Sequence, residues 1–209
     1  MKKLIQIVLA IAIVVLAYLI WESIQTPIRF NKEKDKRKEA TVQRLKDIRT
    51  AQIAYKSEYG KFTSSFDTLI DFVKNDSMKL VKAEGSLSDE LLAQGWTEEI
   101  AVQEGLITRD TIRIAIKDTL FKRNNFNPEL LWKVPFTEND SFQMATAKLN
   151  VSNLDVNVFE AKVHNNVLLH GMDNQLVVNL NDEMKNQNNF PGVKVGDINE
   201  PNNNAGNWE

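Results

Sequence analysis

The sequence predicts an α+β protein in which an N-terminal transmembrane helix continues into an amphipathic helix packed on a mostly antiparallel sheet. Three observations predict it. An apolar run opens the chain, a charged segment with a three- and four-residue apolar stripe follows, and alternating segments fill most of the remainder. Three segments result: a tip and anchor over 1–24, a stalk helix over 25–60, and an α+β head with an Asn-rich tail over 61–209.

The anchor is Leu4–Trp21, "LIQIVLAIAIVVLAYLIW", with Gln6 its one strongly polar residue. At about 1.5 Å per residue these residues span roughly 27 Å, close to a hydrocarbon core of about 30 Å. Tyr18 and Trp21 stand at one end, where amphipathic rings suit a membrane interface. The run leads into "WESIQTPIRF" without a small-x-small site, so an uncleaved single-pass anchor is expected. Orientation divides the observations. Lys2 and Lys3 precede the span, whereas Arg29, Lys32, Lys34, Lys36, Arg37 and Lys38 follow it, and that count favours a cytoplasmic head.

The stalk follows. Its first part, "NKEKDKRKEA", reads as a solvated helix face. Leu45, Ile48, Gln52, Tyr55 and Tyr59 then fall three and four apart on one stripe, flanked by the small Ala51 and Ala54. Gly60 can take the positive φ that ends a helix, and Lys56 lies in the last turn, where a cation is favoured. Leu45, Ile48, Ala51, Tyr55, Tyr59, Gly60 and Phe62 are therefore the candidate stalk–head packing residues. Ser64 with Asp67 suggests a capping box for a second helix carrying Phe66, Leu69, Ile70 and Val73.

Taken together, the apolar span, Pro27 near its end, the charged stalk and "AQIAYKSEYGKF" resemble the N-terminal region of type II secretion pseudopilins and type IV pilins. The matching positions are Ala51, Tyr55, Gly60 and Phe62, and the resemblance covers residues 5–72. It implies an extended helix from Leu4 to Tyr59 and a subunit of a cell-envelope assembly, with partner proteins or further copies of itself as neighbours. It also implies an inner-membrane location with the head in the periplasm or outside, against the charge count. The chain differs from the family in having no glycine before the apolar run and no acid between Leu4 and Trp21. The resemblance thus bears on architecture first and on polymerisation second. The alternative is a membrane-anchored protein-interaction module of unrelated ancestry.

Past residue 76 the pattern turns to strands. "MKLVKAE", "DTIRIAIKDTLF", "SFQMATAKLNV", "LDVNVFEAKV" and "NVLLHG" are the expected strands. "SDELLAQGW" and "TEEIAVQEG" read as short helices started by Ser88 and Thr97, while "DNQLVVNLNDEMKNQ" fits a strand but also a helix stripe of Leu176, Val177, Leu180 and Met184, and helix is preferred. The tail "NNFPGVKVGDINEPNNNAGNWE" reads as turn and loop. Its Asp197, Asn199, Glu200, Asn202 and Asn203 invite a calcium reading, but their spacing fits no EF-hand, so no cofactor is expected. Trp208 is expected either to fold back on the domain or to enter a partner.

Composition narrows function. The net charge of −2 carries no footprint for nucleic acid. The absence of cysteine removes disulfides, thiol nucleophiles and lipid attachment at cysteine. His164 and His170 are the only histidines and fall on expected strands. No phosphate loop, nucleophile elbow or zinc motif occurs, and the acidic pairs Asp89-Glu90, Glu98-Glu99 and Asp182-Glu183 point about 100° apart on helices. No catalytic, cofactor-binding or metal residue and no small-molecule substrate is expected, and the chain is read as a non-enzyme.

Overall fold

The computed structural model describes residues 2–123 and 126–209. It has the expected α+β architecture, a long N-terminal helix packed on antiparallel sheet. The first element is one continuous helix, α1 (Lys2–Tyr59, 58 residues), which keeps its helical backbone through Pro27. A proline removes one internal hydrogen bond; beside it Thr26 donates to Glu22 (3.1 Å), which also accepts from Arg29. The chain divides into two compact units, Arg49–Leu131 and Met1–Ile48 with Trp132–Glu209.

In the first of these, α1 ends at Gly60, whose φ of +72° lets its N–H reach the carbonyl of Lys56 (2.8 Å). Helix α2 (Phe66–Asn75) follows. Its N-cap is Ser65, which accepts from the Thr68 N–H at 3.3 Å, and not the expected Ser64. The correction has a local cause: the Ser65 N–H is itself fixed by the Thr63 hydroxyl, which starts the helix one residue later. Strand β1 (Ser77–Glu84) pairs antiparallel with β2 (Thr108–Ala115) over their full lengths. Between them lie α3 (Asp89–Ala93) and α4 (Glu98–Gln103). Thr97 caps α4 through the Ile100 N–H (3.4 Å), whereas Ser88 precedes α3 without a side-chain cap bond. The expected strand through Phe121 is shorter than read. It stops at Ala115 and turns into α5 (Ile116–Leu120), with Ile116 fully buried and its N–H on the Asp76 carbonyl (3.4 Å).

In the other unit, β3 (Gln143–Val151), β4 (Leu154–His164) and β5 (Gly192–Gly196) form an antiparallel sheet in the order β3-β4-β5. Ser152 and Asn153, both at positive φ, make the two-residue hairpin turn that matches strand twist. Helix α6 (Asn165–Leu168) occupies the place of the expected "NVLLHG" strand. The His164 imidazole explains the switch, because its Nδ1 accepts the Asn166 N–H (3.1 Å) and caps a helix. Helix α7 (Asn174–Asn186) agrees with expectation and is capped by Asp173. The core holds Phe159, Ala161 and Val163 of β4, Val193 and Val195 of β5, and Leu45 and Ile48 of α1, all buried.

The tail is the largest departure from the sequence reading. "GVKVG" is strand β5, and the last residues pair with it. Gly196 donates to Ala205 (2.9 Å), Asn207 donates to Lys194 (3.1 Å), and the Asn207 amide spans from the Lys194 N–H to the Gly192 carbonyl (3.1 and 3.0 Å). Trp208 folds back over Gly206, where any side chain would strike its indole ring. An Asn-rich composition concealed a strand because side-chain amides here replace missing backbone partners.

Candidate functional site

The residues singled out by sequence lie along α1, with Gly60 and Phe62 just past its end, and each unit presents its own part. In the larger unit the stripe runs Thr41, Leu45 and Ile48, all without solvent exposure, with Phe30 buried further down. Arg37 anchors this stretch. Its Nε donates to Glu33 (2.9 Å) and one terminal nitrogen donates to the carbonyls of Leu168 and His170 (3.2 and 3.0 Å), closing the C-terminal end of α6. The Arg37 hydrogen bond, ahead of the charges of Lys36 and Arg37, holds the Glu33 carboxyl below its usual range.

In the smaller unit the stripe continues as Ala51, Gln52 and Tyr55, all buried. The Tyr55 ring meets Phe72 edge-on at 5.1 Å and lies 4.7 Å from the Tyr59 ring, which itself meets Phe72 at 5.8 Å. Tyr59 is half exposed, and its hydroxyl donates to Asp76 just past α2. That hydrogen bond, with burial second, raises the phenol above its usual range. Phe62 is buried and carries the Lys56 ammonium over its ring at 4.7 Å. Gly60 is exposed, and a side chain there would meet nothing, so the positive φ alone demands glycine.

Gln52 is the residue whose role the sequence reading missed. It is wholly buried, and its amide matches the backbone of Thr63, donating to the carbonyl (2.6 Å) and accepting from the N–H (3.1 Å). A side-chain amide thus acts as a strand partner and fixes the segment that follows α1. The available signal was an amide at a core position of an otherwise apolar stripe.

The expected membrane-interface pair sits elsewhere on α1. Tyr18 and Trp21 are 64% and 63% exposed, within a stretch from Ile5 to Ile24 whose large apolar side chains are all exposed. This helix is long and apolar enough to cross a membrane.

The tail acids take a different arrangement from a cation cage. Asp197 accepts from the Lys194 ammonium (2.5 Å) and from the Asn199 N–H (2.8 Å). The same ammonium lies 3.8 Å from Glu160, which is buried and also paired with Lys162 (2.6 Å). Burial pushes the Asp197 carboxyl up, but Lys194 and the Asn199 N–H outweigh it, and the group sits below its usual range. A lysine thus fills the cationic role between the two acids. No group of three His, Asp or Glu side chains suited to a metal occurs among the described residues. His164 ends β4 and His170 lies in the turn after α6, where neither joins the other. Burial first, and then the charge of Lys185, lower the His164 pKa, which keeps it an acceptor for its cap bond.

No relative is found. Comparison with protein-family models, with curated proteins and with solved structures gives no match. The geometry is therefore the guide: a helix whose upper stretch is fixed by apolar packing, paired amides and one arginine, while its lower stretch is apolar and uncovered.

Proposed function

We propose that the chain is a single-pass, membrane-anchored structural subunit of a cell-envelope assembly, built like a pilin or pseudopilin. One observation carries this reading: the apolar stretch and the packed stretch belong to the same unbroken helix, Lys2–Tyr59. A rigid join of that kind fixes a head at a set height and angle above a bilayer, which a mobile linker would not do. The exposed apolar face of the lower helix offers neighbouring helices a packing surface within lipid. The reading further places the N-terminus in the cytoplasm and the head beyond the inner membrane, with other subunits or copies of itself as partners and no catalytic role.

The cysteine-free sequence makes the test direct. Protease added to intact spheroplasts should degrade the head; a head that survives until the membrane is lysed is cytoplasmic and ends the export claim. A single cysteine introduced as Leu9→Cys should give oxidative crosslinks, either to a second copy or to a fixed set of partners. A chain that stays monomeric under those conditions, at native expression, overturns the assembly claim.

A further inference from the structure

Helix α6 is four residues long, and side chains from outside it hold both of its ends. At its start the His164 ring nitrogen Nδ1 accepts the Asn166 N–H (3.1 Å). At its close one terminal nitrogen of Arg37, from α1, donates to the Leu168 and His170 carbonyls (3.2 and 3.0 Å). Asn181 of α7 adds a third tie, accepting from the Asn165 amide (3.0 Å) and donating to the Asn166 side-chain oxygen (2.7 Å). Of these groups, the imidazole is the one whose hydrogen-bonding sense reverses near neutral pH. Neutral, it offers a lone pair at Nδ1. Protonated, it carries hydrogen on both nitrogens, and Nδ1 then faces the Asn166 N–H donor to donor.

We propose that His164 is an acid-sensitive latch: protonation of its ring breaks the cap and loosens α6 from α1. The surroundings of the ring favour its neutral, capping form. From α7, Lys185 faces it, paired with Asp182 at 3.8 Å. From α1, Lys34, Asp35 and Lys38 border a recess that Asn165 and Gly192 also line, and Asp35 lies 3.6 Å from Lys34. Gly192 is the β5 residue opposite His164. The Phe190 ring meets the imidazole edge-on at 6.1 Å, with the Lys162 ammonium of β4 5.7 Å from that ring and paired with Glu160. No acid pairs with His164 among the described residues, while burial and then Lys185 oppose its positive charge. The proton therefore binds the opened form first. The latch holds above the ordinary histidine pKa of about 6.5 and weakens as pH falls from there through the lower folded value. Leu168 and Leu169 are each 1% exposed, so the open form stays a minority at either pH. Acid raises its population, and each opening uncovers both leucines.

Amide hydrogen exchange, followed by NMR on the full chain in detergent micelles, reads that population as protection factors between about pH 7.5 and about pH 5. The N–H groups to follow are those of Asn166, on the ring, and Leu169, on the Asn165 carbonyl (2.8 Å). Their protection should fall about tenfold in acid, the effect of a lost N-cap, with a midpoint that matches the His164 ring-proton titration. Amides of the β4–β5 ladder should keep theirs. His164→Asn caps a helix without titrating and should hold protection across the range, whereas His164→Ala should show the low value throughout. His170→Gln, at the other histidine, should leave the acid response intact. Arg37→Gln should lower Leu169 protection by a further factor of about ten at both ends of the range, because opening breaks its two carbonyl bonds. A flat parent profile while the His164 ring titrates, an acid loss that persists in folded His164→Asn, or Leu169 protection indifferent to Arg37→Gln each overturn the proposal. Where circular dichroism shows a variant unfolded, the parent decides alone: separate midpoints for exchange and ring titration overturn the latch, and a shared one supports it.

Discussion

The first and last thirds of α1 both carry large apolar side chains, yet they place them differently. From Ile5 to Ile24 the large apolar side chains are exposed around the helix, whereas Leu45, Ile48 and Ala51 have no exposure at all. In the upper stretch the apolar residues recur three and four apart, so one face enters the core and polar residues cover the rest. In the lower stretch no face is polar, and burial has to come from an apolar solvent or from other helices. The same helical backbone thus enters a protein interior at one end and is apolar enough to cross a membrane at the other. Mean hydropathy marks the lower stretch as long and apolar enough to cross a membrane, and periodicity picks out the buried face of the upper one.

A matched pair of truncations tests this contrast most strongly. Leu45→Ala should remove about 2–5 kcal/mol from the stability of the folded head, by denaturant unfolding in micelles. Leu9→Ala, in the exposed stretch, should leave that midpoint unchanged. Comparable losses at the two positions would erase the distinction. A matched pair of charges comes next. Val14→Arg should oppose membrane insertion by about 2.5–3.5 kcal/mol, read as chain lost from the membrane fraction. Ile53→Arg, on an exposed position of the upper stretch, should leave insertion alone and change stability by no more than about 0.5 kcal/mol.

Gln52 sharpens the upper half further. Gln52→Leu keeps the volume of the stripe but strands the N–H and carbonyl of Thr63, at a cost of about 1–3 kcal/mol. If the variant were as stable as the parent, the amide would be incidental to the packing. The smallest expected effect concerns acid. No carboxylate lies between Ile5 and Trp21, so acid sensitivity belongs to the rest of the chain. Asp197 has its folded pKa below the ordinary value, so its contribution is present above the unfolded pKa of about 3.9 and disappears as pH falls through the folded one. Asp197→Asn should flatten the stability curve in that acidic window and leave the neutral side flat. A parent and variant with the same acid slope would remove Asp197 from the account.

Much of the fold was legible because it depends on periodicity. The apolar run, the stripe from Leu45 to Tyr59, the stop at Gly60 and the helix at 174–186 follow from spacing and turn chemistry. The strands of the β3–β4 hairpin follow from alternation, whereas the positive φ of Ser152 and Asn153 in their two-residue turn is visible only in the structure. The misreadings share a different origin. "NVLLHG" has strand-like composition, but His164 caps a helix there through its ring nitrogen. Ser64 with Asp67 fits a capping box by spacing, but Ser65 caps the helix, because the Thr63 hydroxyl fixes its N–H through a hydrogen bond that no pattern shows.

By itself the sequence determined the class of each long segment: an apolar helix fit for a bilayer, an amphipathic helix below a head, and antiparallel strands joined by tight turns. These are local properties, set by the side-chain period of a helix or strand. Tertiary structure alone decided the rest. It made Gln52 a strand partner for Thr63, set Lys194 between Asp197 and Glu160, and returned the Asn-rich tail to β5 as paired chain. Each of these depends on a buried polar group finding its complement, and such complements are brought together by packing between residues that share no spacing in sequence.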